Sequence, residues 1–185
     1  MRPPAGASVA VFGTGTVGMA SIMAATVAGA TTIIGVDLSP ARLDLARELG
    51  ATHTVHVGDQ DPVEQIKAIT GSGADFTIEA TGLASMLRQA VDASAPTGVT
   101  TIIGAPALGT EVSLDINEML IFGRTVRGIV EGDSVPDVFI PRLIQLWRQG
   151  RFPVDRLMRN YDLDQLDEAA HDAEQGRVIK AVVRM

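Results

Sequence analysis

The sequence predicts an α/β protein built on a doubly wound, six-stranded parallel sheet, and three observations carry that expectation. Short apolar runs rich in β-branched residues alternate with helical patterns over the first two thirds of the chain, which right-handed crossovers fold into a parallel sheet. The run Ser8 to Phe12 passes directly into GTGTVG, where Gly13, Gly15 and Gly18 hold the G-x-G-x-x-G spacing at a strand-to-helix turn. A second apolar run, Thr32 to Val36, ends on Asp37, about 20 residues past the turn.

Each part of that stretch has its own task. Gly13 permits a tight turn, Gly15 lets the backbone approach a pyrophosphate, and Gly18 lets the helix lie close on the strand. The helix N-terminus offers free N–H groups and a partial positive charge to phosphate, and Asp37 offers a carboxylate to ribose hydroxyls. Strand, glycines, helix, strand and acid in this order predict a dinucleotide site.

The remaining elements follow in order. Ser39 is an N-cap with Pro40 at the first helical position, and this helix stops at Gly50. His53 to Val57 reads as a third strand, Asp61-Pro62 with Glu64 starts a helix ending at Gly71, and Ala74 to Glu79 is a fourth strand. Ser85 to Ala93 is helical and Thr97 to Ile103 is a fifth strand. Ligands on such sheets sit beyond the carboxyl ends of the strands, where Gly13 to Gly18, Asp37, Ala80 to Gly82 and Gly104 to Pro106 fall. From Val112 the pattern changes to a short strand-like piece, a helix at Ile116 to Phe122 and a sixth strand, Arg124 to Val130. Beyond it lie an amphipathic helix from Val135 to Gln149 and a strand near Met158 to Tyr161, then a helix from Leu163 to Gln175 and a last strand from Val178 to Arg184. About 50 residues of this kind are too few for an independent core, so this segment is expected to finish a domain whose larger part lies elsewhere.

Composition narrows the function. Of 185 residues, 46% are hydrophobic and 20% charged, and the net charge of −7 is spread without a basic cluster, which argues against nucleic acid as a partner. Met1 and Arg2 precede an apolar region that Pro3, Pro4 and the glycines interrupt, unlike a signal h-region. The apolar run Val17 to Ala30 is too short to span a bilayer, so no membrane association and a cytoplasmic location are expected. With no cysteine, disulfides and cysteine-bearing metal sites are excluded. His53 and His56 flank a strand start without a third ligand and are read as structural, and His171, in a polar helical stretch, is read as a surface residue. Tyr161 lacks a lysine four residues on, so a tyrosine-lysine acid/base pair is not available. Glu79 suits either a general base or packing at the cofactor edge.

The fingerprint GTGTVG, the segment GVDLSPARLDLARELGATH, the turn EATG, the run IIGAPALGTEVSLDINEMLIFGRTVRGIVEG and the ending QGRVIKAVV resemble the zinc-dependent medium-chain alcohol dehydrogenases. GAPALGT, DINEML and FIPRLIQLWRQGRFPVDRL are most similar to the aryl-alcohol (benzyl alcohol) members. The resemblance implies a Rossmann domain over residues 1–132 and, at 133–185, a segment that completes a catalytic domain not represented here. It implies NAD as cofactor and zinc in the intact enzyme, with no zinc bound by this chain and no catalytic residue within it. The implied substrates are small aromatic or other primary alcohols and their aldehydes, and the implied assembly is a homodimer joined through the sheets.

By the same resemblance Gly13, Thr14, Gly15, Thr16, Val17 and Gly18 hold the pyrophosphate, Asp37 the adenosine ribose, and Arg42 stands beside that ribose. Ala80, Thr81 and Gly82 pass along the cofactor. Ile103, Ile129 and Glu131 offer backbone groups to the carboxamide with Gly104 adjoining, Ala105 and Val130 approach the substrate wall, and Lys180 reaches the pyrophosphate. Two other readings share the strand, glycine and acid layout: a nucleotide-binding module without chemistry, and an S-adenosylmethionine-dependent transferase.

Overall fold

Apolar β-branched runs form strands here because both faces of the sheet are covered by helices, which leaves no face for polar alternation. The computed structural model describes residues 2–58 and 60–185; Met1, part of the amino-terminal reading above, lies outside them. The chain divides into two compact units, Met1–Phe139 and Ile140–Met185, each described by itself.

In the first unit β1 (Ser8–Phe12), α1 (Thr16–Ala28), β2 (Thr32–Asp37), α2 (Pro40–Glu48), β3 (His53–His56) and α3 (Pro62–Thr70) precede β4 (Ala74–Glu79), α4 (Ala84–Asp92), β5 (Ser94–Ile102), α5 (Ile116–Phe122) and β6 (Thr125–Gly128). Among the described residues six strands pair in parallel in the order β3-β2-β1-β4-β5-β6. The chain winds outward from β1 to β3, then returns to β1's other side and winds outward again from β4. The switch point is therefore between β1 and β4, and ligands on such a sheet collect beyond the carboxyl ends there. Phe12 pairs with Val36 on one side and Glu79 on the other, and Glu79 pairs with Ile102, so these strand ends lie level.

Alternation along the strands divides the core. Ala10, Phe12, Ile34 and Val36 pack with Val63 and Ile66 of α3 and Ala90 of α4. Gly35 points the other way, where a Cβ would lie 3.3 Å from Ala46 of α2 and 3.5 Å from Ile22 of α1. The helix starts are set by caps. The Ser39 hydroxyl accepts from Arg42 N, the Asp61 carboxylate accepts from Val63 N at 2.9 Å, and Asp115 accepts from Asn117 N at 2.8 Å and Glu118 N at 3.1 Å.

Several expected boundaries shift. The strand-like piece at Val112 is irregular chain leading to the Asp115 cap; among the described residues no strand pairs with it. β5 begins at Ser94 rather than Thr97, because Ser94 already pairs with Ala74 before the register slips. Pro96, which has no N–H, and Thr97, with φ of 61°, occupy the slipped stretch. β6 is shorter than expected and forms one edge of the sheet.

In the second unit the strands β7 (Met158–Asp162) and β8 (Lys180–Arg184) pair in parallel, connected through α7 (Leu166–Glu174). The helix expected from Leu163 is a 3-10 turn over Leu163–Gln165 before α7 begins, with Asp162 and Gln165 forming a capping box. The helix α6 (Pro136–Arg148) precedes them, carries Pro141 inside it and contains the division between the units. Tyr161 and Asp172 are buried, and a buried carboxylate needs compensating donors. The Tyr161 hydroxyl donates to Asp172 Oδ2 at 2.8 Å, Arg159 Nη1 to the same oxygen at 3.1 Å, and Arg177 Nη1 to Oδ1 at 3.2 Å. The tyrosine hydrogen bond and the two guanidinium groups hold the Asp172 carboxyl below its ordinary pKa against the opposing effect of burial. Burial and the bond to Asp172 push the Tyr161 phenol up.

Candidate dinucleotide site

The site is built first from a turn that only small residues can make. Gly13 N donates to Val36 O at 2.8 Å, with φ of 87° in the left-handed region. A Cβ on Gly13 would stand 2.6 Å from Thr81 Cγ2, and one on Gly18 would stand 1.8 Å from Gly13 O. At Gly15 the surroundings differ: a Cβ would meet nothing within 4 Å. Gly15 is the N-cap of α1, contributes no side-chain acceptor, and no acid stands in the first helical turn. The positive end of α1 thus has no anion from its own segment and opens on free space beside Gly15. These residues fit a pyrophosphate.

The acid at the end of β2 is held from two sides. Asp37 Oδ2 accepts from Thr14 N at 2.7 Å and from Thr14 Oγ1 at 2.9 Å, while Oδ1 accepts from Ser39 N at 2.9 Å. Arg42 lies half-buried in the first turn of α2, and its Nε is buried without a hydrogen-bond partner. A buried donor left unpaired is costly.

The third segment follows β4. Ala80 N donates to Phe12 O at 2.9 Å, which ties this turn to the end of β1. Glu79, 1% exposed, turns its carboxylate onto it: Oε1 accepts from Thr81 N at 2.6 Å, from Gly82 N at 2.9 Å and from the Thr81 hydroxyl. Its backbone oxygen accepts from Ile103 N at 3.0 Å and Gly104 N at 2.9 Å. A Cβ on Gly104 would sit 2.2 Å from Gly82 N, and one on Gly82 would sit 3.0 Å from Ala105 O. The turns at 80–82 and 103–105 are therefore in backbone contact, and Glu79 is the acceptor that shapes them rather than a free base. The sequence signal for this role is an acid two residues before Thr81, whose amide and hydroxyl it caps.

Gly13 to Gly18, Asp37, Ala80 to Gly82 and Ile103 to Ala105 all meet at the carboxyl ends of β1, β2, β4 and β5. Ile129 N donates to Ile102 O at 3.0 Å just past β6. Val130 is exposed, and Glu131 is exposed with φ of 49° in a 3-10 turn over Glu131–Asp133. Lys180 is exposed on β8 of the second unit. A cavity of about 220 Å³ is lined by Glu79, Gly82, Leu83, Leu87, Ile102 and Pro106 among others. A larger hollow of about 440 Å³ lies at the opposite strand ends, lined by residues that include Gly6, Asp75, Phe76 and Thr97. The segments named above form an open crevice rather than an enclosed pocket.

His53 and His56 are engaged locally, and His171 is exposed on α7. His53 Nδ1 shares a hydrogen bond with Thr52 Oγ1 at 2.9 Å, and His56 Nε2 shares one with Leu38 O at 2.9 Å. Among the described residues no group of three or more His, Cys, Asp or Glu is placed to hold a metal ion, so the residues present do not fit a zinc site. Among the same residues, no helix is long and apolar enough to cross a membrane.

The family described as zinc-binding dehydrogenase matches residues 16–148. Geraniol dehydrogenase of Castellaniella defragrans is 38% identical over 179 residues, 96% of this chain and 48% of that protein. Among solved structures, an alcohol dehydrogenase zinc-binding domain protein from Burkholderia ambifaria superposes with a TM-score of 0.97 at 51% identity, over 98% of this chain and 49% of that one. Benzyl alcohol dehydrogenase from Acinetobacter calcoaceticus gives 0.96 at 42% identity, over 98% and 50%. A zinc-binding dehydrogenase of Sinorhizobium meliloti bound to NADP gives 0.83 at 29%, over 90% and 48%. The chain spans about half the length of the curated relatives it matches.

Proposed function

We propose, from the premise that this chain belongs to the zinc-binding dehydrogenase family, that it is the NAD-binding portion of an alcohol dehydrogenase acting on aryl or other primary alcohols. The observation that carries the reading is the free space beside Gly15 at an uncapped helix N-terminus, next to the anchored Asp37 carboxylate. In this reading Gly13 to Gly18 hold the pyrophosphate, and Asp37 with Arg42 holds the adenosine ribose. The turns at 80–82 and 103–105 border the cofactor, and backbone groups at Ile129 and Glu131 orient the carboxamide. NAD, when bound, supplies the hydride acceptor; the chain's own part is to bind, orient and fix the face presented to an alcohol. The segment 133–185, which carries Lys180, belongs with a catalytic domain that also carries the zinc. The aryl preference rests on the likeness to benzyl alcohol dehydrogenase.

The adenosine end decides between cofactors. A carboxylate at Asp37 accepts from a ribose hydroxyl and repels a 2′-phosphate, while the half-buried Arg42 guanidinium is the charge that would host one. Parallel calorimetric titrations with NAD, NADP and S-adenosylmethionine test the reading. NAD should bind with the highest affinity, and Asp37→Ser should lower the preference over NADP at least about tenfold, or ~1.4 kcal/mol. Binding of S-adenosylmethionine in place of NAD would favour a transferase; no binding of any of the three would remove the site. The chain alone should give no NADH from benzyl alcohol with or without zinc, and should turn over once joined to a catalytic domain of the family. Zinc-stimulated NADH formation by the chain alone would overturn this division of labour.

The edge position of β6 supports a homodimer as part of the proposal, because an unpaired parallel edge carries free N–H and C=O groups that a second copy can satisfy. Light scattering at tens of micromolar should return twice the chain mass; a monomer would count against pairing through β6.

A further inference from the structure

We propose that Thr14 is a positioning residue that sets the NAD over NADP preference by locking the Asp37 carboxylate in one orientation. The proposal deepens the reading of this crevice as an NAD site and rests on it. Thr14 is fully buried, and it contacts Asp37 with two donors at once, its amide at 2.7 Å and its hydroxyl at 2.9 Å, both on Oδ2. Ser39 N takes one position on Oδ1. A carboxylate offers about four lone-pair sites, so the protein fills three and leaves one, on Oδ1, for a ligand. Asp37 therefore meets the ribose through a single remaining acceptor position, in an orientation fixed from two directions.

The seat of Thr14 is itself prepared by the sequence. Gly35, two residues before Asp37 on β2, has no side chain, and a Cβ there would come within 3.3 Å of Thr14 Cγ2. The Thr14 methyl thus fills the space over Gly35 while its hydroxyl reaches along the strand to Asp37. The consequence concerns the 2′-phosphate. A carboxylate free to rotate could turn away from a phosphate and leave the half-buried Arg42 guanidinium to neutralise it. Held by Thr14, the charge stays where the phosphate would lie.

The substitution Thr14→Val keeps the shape and the backbone donor but removes the hydroxyl, whereas Thr14→Ser keeps the hydroxyl. Dissociation constants for NADH and NADPH, measured on the intact chain by ligand-observed NMR, provide the readout. The ratio of the NADPH constant to the NADH constant should fall about tenfold in Thr14→Val, as expected for losing one hydrogen bond to a charged group, and stay at its original value in Thr14→Ser. A role confined to packing would weaken both cofactors together and leave the ratio unchanged. An unchanged ratio in Thr14→Val, with NADH still preferred by the original chain, would overturn the role of Thr14 and leave the NAD reading intact. No preference in the original chain would overturn both. If Thr14→Val does not fold, Thr14→Ala serves as the arm lacking the hydroxyl, with the same two outcomes.

Discussion

Gly18→Ala is expected to destabilise the first unit by about 3 kcal/mol or more, the upper range for forcing atoms into a packed interior. On propensity alone the change should help, since alanine gains up to about 1 kcal/mol over glycine inside a helix. The contact decides otherwise. The new Cβ would stand 1.8 Å from Gly13 O and 2.9 Å from Gly13 C, and both are backbone atoms that cannot rotate away. Gly13 is tied to β2 through its bond to Val36 O, and α1 is anchored on the sheet by the buried Met19, Ile22 and Met23, so neither side can yield without breaking the core. Gly15→Ala is the control, with open space around its Cβ and φ of −72°. It should change stability by less than about 1 kcal/mol and lower NAD affinity. Urea unfolding followed by circular dichroism checks both; a Gly18→Ala midpoint equal to that of the original chain would show that α1 does not sit as close to the turn as described.

The second large effect is expected at Glu79. Replacing it by alanine removes the acceptor for Thr81 N, Gly82 N and the Thr81 hydroxyl and opens a void beside Gly104, where Glu79 Oε2 now stands. Bonds to a charged group contribute about 1.5–3 kcal/mol each, but the turn is partly exposed and water can satisfy some donors. A net loss of about 2–3 kcal/mol is expected. Glu79→Gln retains one acceptor oxygen and should lose about half as much. Thermal melting of the three chains gives the order; Glu79→Ala melting with the original chain would mean that the turn at 80–82 is held by its backbone alone.

The parts of the fold legible in the sequence are those where local chemistry and global packing agree. The glycine turn, the caps at Ser39 and Asp61 and the strands β1 and β4 fall where the residues place them, because each is decided within a few positions. The slipped start of β5 is not legible in the sequence: Ser94 pairs with Ala74 through a register that depends on a strand distant in sequence. The same contrast holds at the crevice. That Asp37 ends β2 could be read from its position, but its capture by Thr14 required knowing that the turn folds back over Gly35. Glu79 was legible as a buried acid and not as a cap, since a carboxylate at a strand end serves either purpose until the direction of the following turn is known.

The reversal of winding between β1 and β4 also bears on how the chain holds together. The two halves of the first unit, β1 to β3 and β4 to β6, meet side by side where Val9 to Phe12 pair with Phe76 to Glu79 and where α3 and α4 share one apolar cluster, and the proposed cofactor lies across the upper end of that strand pairing. A dinucleotide bound there would act as a clasp on the two halves, stabilising the closed sheet by RT ln(1 + [L]/Kd), about 2.7 kcal/mol at a ligand concentration one hundred times the dissociation constant. Cofactor supply would then govern how long the chain survives against unfolding and proteolysis.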